Sequence, residues 1–76
     1  MSKISYFLTT GRYSVDGQEY IGYGISCHQE NTNIIIKDIA LERNAMLKLI
    51  DRCNALHLSI THLYDVIEDF LVDQTI

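Results

Sequence analysis

Two hydrophobic periods divide the chain. From Ile4 to Cys27 apolar side chains recur at alternate positions, first Ile4, Tyr6 and Leu8, then Ile21, Tyr23, Ile25 and Cys27. That spacing is the mark of a strand with one buried face. Between the two runs lies "VDGQ", whose Asp16-Gly17 pair tolerates positive φ and predicts a two-residue hairpin turn. The turn formers of "QENTN" predict a loop, and "IIIKDI" a third short strand reaching Ile39. Beyond it the period lengthens. Met46, Leu49, Ile50 and Cys53 fall on one helical stripe with Lys48, Asp51 and Arg52 facing away, so a helix is expected from about Glu42 to Leu56. After "ALHLS", Ser59 suits an N-cap, and Leu58 and Leu63 take the positions of a hydrophobic staple. Leu63, Ile67, Phe70 and Leu71 then form the buried side of a second helix ending near Asp73. The expected architecture is α+β: a three-stranded antiparallel sheet (β-hairpin plus third strand) followed by two helices packed on one face.

The turn also predicts a register. With Val15 opposite Gln18, counting outward sets Tyr6 against Cys27, Leu8 against Ile25 and Thr10 against Tyr23 on the face the helices should cover. The other face pairs Tyr13 with Tyr20, Gly11 with Gly22, Thr9 with Gly24 and Phe7 with Ser26. A slip of one residue would rearrange both faces.

Composition narrows the function classes. A chain of 76 residues makes one domain, 1–76. At that size folding buries only roughly 60–65% of the unfolded surface, and a metal, disulfide or partner subunit commonly adds stability. At 47% hydrophobic and 21% charged, it is too apolar for a disordered tail. "MSKISYFLTT" does not read as a leader, and no apolar run is long enough for a bilayer. Cys27 and Cys53 could form at most one bridge, so a cytoplasmic protein with reduced thiols is expected. Net charge is −4, and all of the excess lies after position 58, in Asp65, Glu68, Asp69 and Asp73. Lys and Arg do not cluster, which argues against nucleic acid as a direct ligand.

Three stretches carry a resemblance: "YGI" (Tyr23, Gly24, Ile25), "IKDIA" before the first helix, and "LSITHLYDVIEDFLVD". Together they resemble a family of short, uncharacterised domains of unknown function from Gram-positive bacteria (Firmicutes). The most distinctive part is a Ser-x-x-His-Leu-x-Asp-Val pattern at Ser59, His62, Leu63, Asp65 and Val66. The resemblance implies a bacterial cytosolic protein and supplies no activity, cofactor or catalytic residue.

Candidate chemistry is sparse. His62, Asp65 and Asp69 share one strip of the second helix and offer an imidazole and two carboxylates to a metal or small ligand. An exposed strip, however, gives neither the four ligands of a structural site nor a dry pocket, and carboxylates in water keep ordinary pKa values. The plainer reading is a solvated helix face. Against it, Asp65, Asp69 and Asp73 repel at i, i+4 by a few tenths of a kcal/mol per pair. Asp69 and Asp73 also sit at the unfavourable end of the helix dipole, at about 0.3–1 kcal/mol each. Lys37, Arg43, Lys48 or Arg52 could relieve them, or a basic protein partner could. On the sheet, Gly11, Gly22 and Gly24 predict a patch nearly bare of side chains beside Tyr13, Tyr20 and Phe7. It suits either an interface or a strong twist or bulge with the tyrosines as shields. Cys53 and His57 have a helical i, i+4 spacing that can chelate zinc, whereas Cys27 and His28 point to opposite sheet faces. Both cysteines fall on predicted core stripes. There is no nucleophile–base pair, phosphate loop or Cys-x-x-Cys. The expectation is a non-enzymatic interaction or regulatory module without a cofactor. Its partner would be a basic protein surface or a second copy in a homodimer, with no nucleic acid and no membrane. Asp65, Asp69, Asp73, Tyr13, Tyr20, Gly22 and Gly24 are the candidate contacts, and the alternative is a metal or ligand site at His62, Asp65 and Asp69.

Overall fold

A computed structural model describes residues 3–74. Strands β1 (Ile4–Val15) and β2 (Gln18–Gln29) form a long antiparallel hairpin. Asp16 and Gly17 both take positive φ, 52° and 79°, the backbone of a type I′ turn. Its twist matches that of the strands it joins, so the expected register holds from Val15↔Gln18 to Ile4↔Gln29. β3 (Thr32–Ala40) lies on the other side of β2, giving the order β1-β2-β3. The stretch expected as a loop is mostly ladder. Gln29, Thr32 and Asn33 are paired, and only Glu30 and Asn31 turn, with Glu30 at φ 51°. Turn-forming composition gave way there to the ladder bonds available to backbone groups.

The β2–β3 ladder is interrupted once. After Ile25↔Ile36 the next pair is Tyr23↔Ala40, so Lys37, Asp38 and Ile39 stand opposite Gly24 alone. This bulge, with Asp38 at φ 56°, bends β3 and ends its pairing. The hairpin continues past it. Gly11–Val15 and Gln18–Gly22 project as a two-stranded ribbon, and the molecule measures 46 × 28 × 18 Å.

Helices α1 (Arg43–Ala55) and α2 (Ile60–Gln74) follow, making an α+β fold with the expected element order. Tyr6, Ile25 and Cys27 from the sheet meet Met46, Leu49, Ile50 and Cys53 from α1 and Leu63 and Ile67 from α2 in one buried cluster. These belong to the stripes that the two periods predict, but Ile21 on the ribbon and Leu71 near the end of α2, expected on those stripes, are exposed. Fully burying each aliphatic side chain contributes about 1.5–3 kcal/mol. α1 ends where expected, with Leu56 as its C-cap, but His57 does not continue the helical spacing. His57 takes φ 48°, its N–H donates to the Asn54 carbonyl at 3.2 Å, and the Leu58 N–H donates to the Cys53 carbonyl at 3.0 Å. This is a Schellman cap with histidine in the place usually held by glycine. His57 is therefore past the helix, and the i, i+4 zinc spacing with Cys53 is lost. Among the described residues no helix is long and apolar enough to cross a membrane.

Candidate interaction site

The glycine patch of the outer sheet face is closed by the chain itself. The Tyr13 ring lies across Gly11, where an added Cβ would come 2.6 Å from its hydroxyl. Gly22 is buried under the Asp38 carboxylate and the edge of the same ring. A Cβ on Gly24 would run into the Ile36 carbonyl oxygen and lie 2.7 Å from Thr9 Oγ1. Gly24 is thus the residue that lets the β3 bulge approach β2. Tyr13 and Tyr20 pair as expected, with ring centroids 5.6 Å apart and planes tilted by 33°. The Tyr20 hydroxyl donates to Asp38 Oδ2 at 2.6 Å, and this bond holds the phenol above its ordinary value. The bulge therefore reaches out and grips the ribbon. Nearer the body, Phe7 and Ile35 stand exposed on either side of buried Ser26, whose Oγ is 3.0 Å from His28 Nε2.

The acidic strip lies on the opposite side of the sheet. His62, Asp65, Asp69 and Asp73 are all exposed. Asp69 and Asp73 line a cleft of about 220 Å³ between the helices, together with Arg52, Leu56 and Phe70. Arg52, one of the cations the sequence offered as relief, lines the same cleft. His62 and Asp65 are outside that lining. Among the described residues, no three His, Cys, Asp or Glu side chains are grouped to hold a metal ion. The strip and the tyrosine–glycine face are on opposite faces of the sheet and do not form one site.

The groups with the most perturbed protonation are structural. The Tyr6 phenol is pushed well above its ordinary range, first by burial and then by the Cys27 thiol opposite it. Its hydroxyl donates to the Leu58 carbonyl at 2.5 Å. Burial also raises the thiols of Cys27 and Cys53, which are free and enclosed in the core.

A different surface is formed by backbone. Strand β1 is an edge over its whole length. The tight turn makes Val15↔Gln18 a pair that exchanges hydrogen bonds, and by alternation the even-numbered residues of β1 point their N–H and C=O away from β2. Tyr6 is one of these, and Asn54 at the end of α1 occupies it. The Tyr6 N–H donates to Asn54 Oδ1 at 2.8 Å, and Asn54 Nδ2 donates to the Tyr6 carbonyl at 3.0 Å. One side-chain amide thereby takes the place of a neighbouring strand. Farther along, Leu8, Thr10, Arg12 and Ser14 turn the same groups outward, and among the described residues none of these is capped. The sequence signalled neither the Asn54 clasp nor the Asp38 grip, although the charged pair Lys37-Asp38 inside an apolar strand was a visible irregularity.

A family of unknown function (DUF6514) has a model that matches residues 1–73, and the chain belongs to that family. No curated protein and no solved structure matches it.

Proposed function

Because the chain belongs to a family without an assigned activity, its function must be read from its own surfaces, and we propose a non-enzymatic protein–protein interaction module. It docks partners by strand addition along the open half of β1. The observation that carries this reading is the contrast along one edge: Asn54 covers Tyr6, while Leu8, Thr10, Arg12 and Ser14 turn ladder groups outward that no described residue caps. Natural edges are usually blunted by lysines, proline or a bulge. The stretch from Leu8 to Ser14 has no proline, no register shift and one charge, Arg12. Backbone bonding would supply affinity and the side chains beside it selectivity. The enclosure of Tyr6, Cys27 and Cys53 favours this over catalysis. The acidic strip has a supporting role, attracting basic partners and speeding encounter.

The test is a screen of extended peptides read by backbone amide shifts. Binders should perturb Leu8, Thr10, Arg12 and Ser14, and Thr10→Pro, which removes an outward N–H, should abolish the effect. Binding that persists unchanged in Thr10→Pro, or that perturbs α2 instead, rejects edge docking.

A further inference from the structure

We infer that Asn54 is an end-stop for the docked strand, so that the edge admits only a segment that ends or turns away opposite Leu8. The inference rests on the edge-docking reading and adds the length and register of what binds. A strand laid beside β1 needs the N–H and C=O of alternate residues. Leu8, Thr10, Arg12 and Ser14 hold theirs outward, and Tyr6 is the next in that series. Both of its groups are already engaged by one side chain. The N–H donates to Asn54 Oδ1 at 2.8 Å, and the C=O accepts from Asn54 Nδ2 at 3.0 Å. The amide of Asn54 therefore stands where the backbone of an incoming strand would continue.

The stop is firmly mounted. Asn54 follows Cys53 in the last turn of α1, and Leu49, Ile50 and Cys53 anchor that turn in the core. The Tyr6 hydroxyl ties the same strand to the Leu58 carbonyl just past the helix. A strand that pushed Asn54 aside would regain the two bonds at Tyr6 and leave the displaced amide to find new partners, so nothing is gained by passing it. The other end of the edge is different. No described residue caps Ser14, and beyond it lies only the turn at Asp16 and Gly17, where a longer chain can overhang. One closed end and one open end set the register, because the longest ladder forms when the docked strand abuts Asn54. That ladder spans the seven residues from Leu8 to Ser14, about 24 Å of extended backbone. The partner so defined is a chain terminus or one arm of a hairpin.

The probe is a series of alternating threonine–valine peptides of increasing length, N-methylated at every second residue so that only one edge can pair. On wild type, affinity should rise up to a length of seven residues and no further. Throughout the series the Tyr6 amide should keep its exchange rate and the Asn54 side-chain amide its resonance positions. In Asn54→Ala, with folding checked by circular dichroism, the limit should move two residues, and the longer peptide should bind about fivefold tighter than the seven-residue one. A wild-type affinity that keeps rising past seven residues, a Tyr6 amide set free by the longer peptides, or a limit unchanged in folded Asn54→Ala overturns the stop. Peptides that bind without a length limit yet lose binding in Thr10→Pro reject the stop alone and leave edge docking standing. If no peptide of the series binds, or if Thr10→Pro leaves binding intact, edge docking fails and the stop with it.

Discussion

The body of the sheet and the ribbon that projects from it are made of the same two strands and are held by different forces. From Ile4 to Thr10, β1 lies beside a β2 segment that also pairs with β3, and two helices cover its inner face. From Gly11 to Val15 the hairpin has no paired third strand among the described residues, and its tip shares only an open cleft with the chain from Asp38 to Glu42. It relies on the Tyr13–Tyr20 ring pair and on the bond from Tyr20 to Asp38. An isolated two-stranded hairpin is marginal in water, so the ribbon should open locally while the body opens only on global unfolding. Burial fixes the body, and a few surface contacts aim the ribbon.

Mutations should separate the two. Leu63→Ala, in the fully buried centre, should destabilise the whole domain by about 2–5 kcal/mol in denaturant titration. Gly24→Ala strikes the junction, because its Cβ meets the Ile36 carbonyl. A loss of about 1–3 kcal/mol is expected, together with faster amide exchange in both β3 and the ribbon. Alkaline pH should attack the body first. Burial raises Tyr6 from 10.0, and Cys27 and Cys53 from 9.0, so the folded state holds these protons more tightly than the unfolded chain. Their contribution is complete below pH 9 and is lost as pH climbs through 9 and 10 toward the raised folded values. A melting temperature steady from pH 7 to 8.5 and falling above 9 is the expected profile. Tyr20→Phe removes the ribbon's bond to Asp38 and should cost about 0.5–1 kcal/mol of local opening, seen as faster exchange from Gln18 to Gly22 with body amides unchanged. His57→Gly should stabilise the body by about 0.5–1 kcal/mol, since glycine accepts the left-handed cap without strain.

The same contrast explains what could be read from the sequence. The hairpin register followed from Asp16-Gly17, because a two-residue turn leaves no freedom in pairing. The core stripes followed from period, because burial is what period records. The glycines allowed a bulge as one of two readings, but its place in β3 was hidden because "IIIKDI" alternates well enough to look like plain strand, while Asp38 at positive φ is a tertiary demand made by Tyr20 and Gly22. The clasp of Asn54 on Tyr6 joins residues 48 apart and leaves no local pattern. His57 was misjudged because its spacing from Cys53 is helical although its backbone is not. The bare patch expected around the glycines proved to be the space that Tyr13, Asp38 and the bulge occupy.

The Asn54 clasp has a kinetic consequence. It fastens the opening strand to the far end of α1, and the Tyr6 hydroxyl adds a tie to the interhelical connection 52 residues away. Such distant closures are made late, after the loop between them has lost its entropy. Until α1 is complete and docked, the backbone groups of Tyr6 therefore lack their cover, and the hairpin is open to a neighbouring strand at this end as well.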